Sequence, residues 1–154
     1  MLTLRPAAPG DRAFLATMTE RLADFPVPAW RTAEQIAVAD RRLMVAALDK
    51  PTPDATILIA ETAEGLPAGC MFVTTRHDYF NGQPGAHVEV VVVSVTAQGR
   101  GVGRTLLEAA EAWARSRGYG HLTLNAFVNN AHARAVYEHL GYEAEIVSYR
   151  KALV

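Results

Sequence analysis

The sequence predicts a single-domain α/β fold in which a mixed central sheet carries helices on both faces. Segments with the alternating pattern of strands are interleaved with segments whose apolar residues recur at helical spacing. The Val-rich run at 87–95 is typical of a largely buried strand. A glycine-rich turn joins that run to the next helical segment, and a strand follows this helix, which predicts a parallel strand pair across it.

The first part of the chain predicts one strand and two helices. LTLRP at 2–6 alternates apolar and polar residues, which predicts a strand. In the segment that follows, apolar residues such as Leu15 recur at helical spacing. FPVPAW at 25–30 interrupts the chain. Thr32 and Gln35 then form the capping box of the second helix.

The second part of the chain predicts five strands and two helices. ATILIAE and GCMFVTTRH read as a hairpin that turns around Glu64 and Gly65. The remaining predicted elements are the strand at 87–95, a helix over 104–117, a strand at 121–127, a helix over 131–140 and a last strand near 143–151.

Composition limits the classes of function. A chain of 154 residues fits one domain, 1–154, with a proper core. Its 15 basic and 16 acidic side chains give a net charge of -1, so no basic field favours nucleic acid. The single Cys70 excludes an internal disulfide, and neither a secretory leader nor a long apolar run is evident. We expect a soluble, cytoplasmic protein with no membrane partner.

The link between the Val-rich strand and the next helix has the features of a phosphate site. Gly99, Gly101 and Gly103 leave the backbone N–H groups of the turn free to converge. The helix start adds unpaired N–H groups and a positive dipole end, and Arg100 and Arg104 add charge. We therefore predict that the turn binds a pyrophosphate.

Two common phosphate motifs do not fit this turn. A P-loop requires Gly at position 98 and Lys at 104, where Gln98 and Arg104 stand. A dinucleotide fingerprint requires Gly at 104 or 106, and Leu106 occupies the second of these. ATP, GTP, NAD and FAD are therefore disfavoured.

Gln98, Gly101 and Gly103 match a different pattern, which resembles the acetyl-CoA signature of the GNAT superfamily of N-acetyltransferases. A second segment of that family is matched within 129–142, by Asn130, Ala133, Tyr137, Gly141 and Tyr142. The order of elements is also similar. The resemblance implies a GNAT-like fold and an enzyme that transfers an acetyl group from acetyl-CoA to a primary amine by direct attack in a ternary complex.

The resemblance also implies which residues bind acetyl-CoA. The backbone of Val91, Val92 and Val93 would hold the pantetheine arm, together with Asn130. The pyrophosphate would lie on the turn, whose residues are Gln98, Gly99, Arg100, Gly101, Val102, Gly103 and Arg104. The alternative is that the valines are only core and the glycines only a tight turn, which does not explain three alternate glycines.

Two side chains are predicted to be catalytic. Tyr137 matches the family position whose phenol can protonate the leaving sulfur, although an aromatic residue on a helix face is also typical of a core. Glu89 lies inside the most apolar strand, where it is either a general base or a residue that faces solvent or pairs with an Arg. Both interpretations stay open. His87, on the same strand face, is a weaker candidate for the base.

The acceptor is less well defined. The family branch that resembles ribosomal-protein N-terminal acetyltransferases often has a Glu where Asn125 stands, which disfavours a protein N-terminus. We expect a small-molecule amine, such as an amino acid, a polyamine or an aminoglycoside. The resemblance places Trp30, Tyr79 and Phe80 at the acceptor pocket.

Other interpretations are a protein lysine or N-terminal acetyltransferase and a non-catalytic acyl-CoA-binding regulatory domain. The presence of Tyr137 and Glu89 argues against the last. A homodimer is compatible with the sequence. No metal is expected, because His121, His132 and His139 lack the spacing of a metal site.

Overall fold

A computed structural model describes residues 1–154. The strands are β1 (Thr3–Pro6), β2 (Ala55–Glu61), β3 (Pro67–His77), β4 (Pro84–Val93) and β5 (Leu122–Leu124). The α-helices are α1 (Arg12–Glu20), α2 (Ala33–Asp49), α3 (Val102–Ser116) and α4 (Ala131–His139). Short 3-10 turns at Pro9–Asp11, Arg21–Ala23 and Val95–Ala97 complete the regular structure.

The sheet has the strand order β1-β2-β3-β4-β5. The first four strands pair antiparallel, and β4 and β5 pair parallel across α3. The predicted mixed sheet and the predicted parallel crossover are therefore confirmed. None of the helices has both the length and the apolar character needed to cross a membrane.

Apolar side chains fill the space on both faces of this sheet. Leu15 and Met44 bring α1 and α2 onto one face, where they pack with Phe72 and the valines at 90 and 92. Leu106 and Leu107 bring α3 onto the other face. Helix α4 adds Tyr137 and Leu140 at the rim of that second core. Helices therefore cover both faces, as the sequence predicts.

The start of α2 follows from its capping box. Gln35 N–H donates to Thr32 Oγ1 at 3.1 Å, and Thr32 N–H donates to Gln35 Oε1 at 2.9 Å. These bonds satisfy N–H groups that a helix start leaves without a partner. The prolines at 26 and 28 keep the preceding segment out of the helix.

A β-bulge at Glu89 changes which side chains of β4 face each core. Phe72 pairs with Val90, and the next residue of β3, Val73, pairs with Val88, so Glu89 is the extra residue of β4. Val88 consequently packs with α3, whereas Val90 packs with α1 and α2. The bulge therefore reverses which face of the sheet the even-numbered side chains of β4 point to.

The end of the chain differs from the prediction. Strand β5 is limited to Leu122–Leu124, and it pairs with β4 only as far as Val88. The last strand predicted near 143–151 is wrong, because no strand forms after α4. The segment 143–151 alternates apolar and polar residues, but Ile146, Val147 and Tyr149 are all exposed. It therefore buries no apolar face that would stabilise it against a sheet.

Because Leu106 holds α3 against the sheet and is fully buried, its truncation should destabilise the fold. We expect Leu106→Ala to lower the free energy of unfolding by roughly 2–5 kcal/mol. Leu66→Ala is the matched control, because Leu66 is 63% exposed and should change that energy by less than about 0.5 kcal/mol. Denaturant unfolding measures both variants, and equal effects would contradict the packing described.

Candidate functional site

The turn between β4 and α3 depends on two glycines with positive φ. Gly99 has φ 72° and Gly101 has φ 78°, a region that side chains with a Cβ rarely adopt. Gly101 is also the N-cap of α3. Gly103 has an ordinary backbone conformation, and a Cβ added there would meet only Val93 Cγ2, at 3.5 Å.

This backbone exposes a continuous run of hydrogen-bond donors. The N–H groups of residues 99–104 donate to no acceptor in the protein, whereas Thr105 N–H donates to Gly101 O at 3.0 Å. The run comprises part of the turn and the first residues of α3, where the helix dipole is positive. Successive unpaired N–H groups of this kind form a binding site for an anion.

Basic side chains lie between this run of donors and α4. Arg104 pairs with Glu108 at 3.0 Å, yet its side chain remains 65% exposed. A cavity of about 350 Å³ separates the start of α3 from α4. It is lined by Arg104, His132, Ala135, Val136, His139 and Leu140. Nothing in the sequence connects His132 or His139 with the glycine turn, because the proximity arises from the packing of two helices.

The end of β4 has a free edge next to the turn. Ser94 N–H donates to Ala68 O at 2.8 Å, so residue 94 directs its backbone towards β3. Since alternate residues of an antiparallel strand point to opposite sides, Val91 and Val93 direct their N–H and C=O groups to the other edge. Strand β5 does not pair with that edge beyond Val88. The backbone of Val92 faces β3, and so it is not part of the free edge.

Arg21 is an additional residue at this edge. Its Nε donates to Val93 O at 2.7 Å, and its Nη1 lies 2.8 Å from Asp24 Oδ2. The contact joins the turn after α1 to the end of β4. The sequence offered no signal for it, because the two residues are far apart along the chain.

Asn130 and Tyr137 both belong to α4. Asn130 is the N-cap, and its Oδ1 accepts a hydrogen bond from Ala133 N–H at 3.2 Å, which leaves the Nδ2 donor free. Tyr137 is half-buried, and the ring of Tyr142 packs on it edge-on with 6.0 Å between centroids. Burial raises the pKa of Tyr137, so that its phenol stays protonated at neutral pH.

Glu89 is held by an arginine. Arg76 Nη2 donates to both carboxylate oxygens of Glu89 at 2.7 Å, and Thr74 Oγ1 donates to Oε1 at 2.9 Å. The Glu89 side chain is only 12% exposed. Of the two interpretations of Glu89 in the sequence, the structure therefore shows the pairing with an Arg, inside a site that water reaches poorly.

His87 lies beside this ion pair. Its Nδ1 is 2.8 Å from Thr123 Oγ1, and the residue is 5% exposed. Burial, and then the charge of Arg76, lower the pKa of His87. The imidazole is therefore neutral at physiological pH.

Asp40 is a titratable residue of the same region that the sequence analysis missed. It lies on α2 between Ile36 and Met44, which are both buried at the same helix face. Burial, and then the charge of Glu89, raise the pKa of Asp40. An acidic residue within the apolar stripe of a helix was the signal that could have identified it.

The aromatic residues predicted at the acceptor pocket are exposed, but they lie in two separate loops. Trp30 is 52% exposed, and Arg150 stacks on its ring at 5.0 Å. Tyr79 and Phe80 pack edge-on against each other, with centroids 5.3 Å apart.

Two other kinds of candidate side chain are the potential metal ligands and the single thiol, Cys70. No group of three or more His, Cys, Asp and Glu residues could hold a metal ion. Cys70 is fully buried, and burial raises the pKa of its thiol to about 12.

Comparisons with known proteins give a consistent result. A model described as the acetyltransferase (GNAT) family matches residues 15–142. The aminoglycoside N(6')-acetyltransferase type 1 of Stenotrophomonas maltophilia is 31% identical over 156 residues, which cover 98% of this chain and 94% of that protein.

Two solved structures resemble the fold over nearly its whole length. A Pyrococcus furiosus protein, described as an acetyl transferase, superposes with a TM-score of 0.79 at 20% identity, covering 99% of this chain and 100% of the other. An aminoglycoside 6'-N-acetyltransferase bound to a bisubstrate analogue of CoA and acetylneamine has a TM-score of 0.70 at 22% identity, covering 99% of each chain.

Proposed function

The chain belongs to the acetyltransferase (GNAT) family and is an N-acetyltransferase, and we propose that it uses acetyl-CoA to acetylate a primary amine of a small molecule. The proposed reaction is a direct attack of the amine on the thioester while both substrates are bound. One observation carries the proposal: the unpaired N–H groups of residues 99–104 lie next to the free edge of β4.

These two features fit the two parts of a CoA molecule. A pyrophosphate needs several donors around one point, and the turn offers them together with Arg100 and Arg104. A pantetheine arm carries amide groups, which can pair with the N–H and C=O groups of Val91 and with the N–H group of Val93 as an added strand does. The C=O group of Val93 is already bound by Arg21. Asn130 Nδ2 is a further free donor for the arm. When bound, acetyl-CoA supplies an acetyl group activated as a thioester.

The proton transfers of the reaction define the roles of two side chains. A bond forms between the amine nitrogen and the carbonyl carbon and the C–S bond breaks, so the nitrogen must lose a proton and the sulfur must gain one. We assign the donor role at the sulfur to Tyr137, because burial keeps its phenol protonated and no hydrogen bond contributes to the shift of its pKa. We assign Glu89 to the acceptor amine, whose positive charge its carboxylate can hold.

A small molecule is the favoured acceptor for two reasons. The Stenotrophomonas maltophilia relative is an aminoglycoside acetyltransferase, and its similarity extends over almost the whole chain. The carboxylates of Glu89 and Asp40 also suit a cationic amine. A protein lysine or N-terminus is the alternative acceptor. A homodimer and a cytoplasmic location remain predictions.

An amine panel tests the function directly. With acetyl-CoA, we expect acetylated product from at least one of neamine, spermidine and glycine, and little from peptides that offer a free N-terminus or a lysine. Product mass and thiol release are the measurements. Product from the peptides alone would contradict the small-molecule assignment, and no product from any amine would contradict the whole proposal.

The cofactor site is tested by ligand-dependent stability. Acetyl-CoA and CoA should raise the melting temperature, because a ligand that binds only the native state stabilises it, whereas ATP and NAD should have much less effect. Gly103→Val should fold, since its φ is ordinary, but should lose most of the CoA-dependent shift because a side chain would crowd the N–H run.

Gly120→Val is the matched control, because Gly120 also has an ordinary φ and open space around it but lies outside the turn. It should keep the wild-type response to CoA. A full CoA-dependent shift in Gly103→Val would show that the turn is only structural.

The role of Tyr137 predicts a defect in turnover alone. Tyr137→Phe removes the proton donor and keeps the ring that packs against Tyr142. We expect kcat to fall by about tenfold or more while acetyl-CoA affinity stays nearly unchanged. Steady-state kinetics and calorimetry measure the two quantities. An unchanged kcat across the pH range would remove Tyr137 from the mechanism.

A further inference from the structure

Asp40 is an acidic residue without a partner in the apolar face of a helix. It lies one helical turn after Ile36 and one before Met44, which are 7% and 0% exposed, so it occupies the middle of the core-facing stripe of α2. Asp40 is half-buried, and its carboxylate has no ion pair. It also accepts no hydrogen bond, and none contributes to its pKa shift. Such a group is costly unless a cation or a donor meets it in the working enzyme.

The fold directs Asp40 towards the proposed acceptor site. Met44 packs in the same core as Phe72 and Val90, and the bulge residue Glu89 immediately precedes Val90. Thr74 and Arg76, which bind Glu89, follow Phe72 at two-residue steps along β3, so they share the face of the sheet that α2 covers. Asp40, on the core-facing side of α2, therefore lies over the same face of the sheet as Glu89. The charge of Glu89 acts on the pKa of Asp40, which agrees with this placement.

The two carboxylates differ in what already binds them. Both oxygens of Glu89 accept hydrogen bonds from Arg76, and one also accepts from Thr74. Glu89 is therefore already paired with a cation, and its Oε2, which accepts from Arg76 alone, is the oxygen with room for a further donor. Asp40 retains its full capacity to accept a proton, and so the two residues are suited to different tasks.

None of the groups near Asp40 prevents its carboxylate from accepting a proton. Glu89 of β4 is the charged group that acts on Asp40. His87 interacts with the same Glu89, and its pKa is lowered by burial and then by Arg76, so its ring is neutral. Arg76 of β3 is engaged with Glu89. Helix α1 brings apolar core residues and the buried Thr19, and Arg21 of the 3-10 turn that packs against α2 is paired with Asp24. No cation of the protein therefore neutralises Asp40.

We propose that Asp40 accepts the proton of the acceptor ammonium, while the Glu89–Arg76 pair fixes the ammonium beside it. The N–H bond breaks, the proton moves to a carboxylate oxygen of Asp40, and the electron pair stays on nitrogen for its attack on the thioester carbon. This role of Asp40 rests on the proposed N-acetylation, and it identifies the group that deprotonates the amine.

Kinetics of Asp40→Asn test this assignment, with the best acceptor of the amine panel. Because the working form of Asp40 is the carboxylate, wild-type kcat should rise with pH as Asp40 loses its proton. In Asp40→Asn, this rise of kcat with pH should be absent, and kcat near neutral pH should be at least about tenfold lower. Activity should recover in part at high pH, where free amine is abundant. Glu89→Gln should mainly raise KM for the amine, because it weakens the anchor and leaves the acceptor in place.

Two further variants separate chemistry from folding. Asp40→Glu retains a carboxylate and should restore the rise of kcat with pH. Asp49→Asn changes an exposed Asp of the same helix, which pairs with Arg12, and should leave kcat and its pH profile unchanged. A wild-type kcat in Asp40→Asn with a parallel profile would overturn the proposal, and so would loss of the pH limb in Glu89→Gln alone.

The dependence of stability on pH gives a readout that needs no acceptor. The folded state raises the pKa of Asp40, so its charge lowers stability above that pKa, and the penalty disappears as the carboxyl is protonated at acidic pH. Asp40→Asn should therefore melt at the same temperature as wild type or higher at pH 8, and the difference should close near pH 3. A variant that melts well below wild type at pH 8 would show that Asp40 is structural, even if the amine panel succeeds.

Discussion

The whole site depends on the point at which β4 and β5 stop pairing. The two parallel strands are joined by hydrogen bonds only as far as Val88, because β5 ends at Leu124. Beyond this point Val91 and Val93 have backbone groups that point to an unpaired edge. A strand edge with free donors and acceptors is a template for an added strand, and in this molecule it leads directly to the glycine turn. After the 3-10 turn at Val95–Ala97, the glycine turn provides a second row of free donors, from Gly99 to Arg104.

The bulge at Glu89 separates the two halves of the proposed chemistry. It directs Glu89 towards Thr74 and Arg76, so the acidic groups gather on one side of β4. The row of free N–H groups and the phenol of Tyr137 lie with α3 and α4. In the proposed reaction, a cationic amine and an anionic cofactor would therefore meet complementary charges at separate places, and both places border the same strand.

Local patterns in the sequence predict those features of the fold that are determined by neighbouring residues. The Val-rich strand, the glycine turn and the capping box of Thr32 each follow from neighbouring residues, and the structure contains all of them. The error near 143–151 arose because alternation alone cannot show whether an edge is present to receive a strand. The sequence leaves undecided whether Glu89 pairs with an arginine for a related reason. Arg76 reaches Glu89 only through the pairing of β3 with β4. Asp40 was overlooked because its significance depends on what the facing strand brings to it.

The central claim is that the backbone N–H groups of residues 99–104 bind the pyrophosphate of CoA, and amide NMR observes those groups one by one. In a titration of labelled protein with CoA, the resonances of Gly99, Gly101 and Gly103 should show the largest shifts, because charged acceptors would replace water at their N–H groups. The amides of Val91 and Val93 should also shift, while that of Gly120 should not. Shifts that leave the turn unaffected while CoA binds elsewhere would contradict the account.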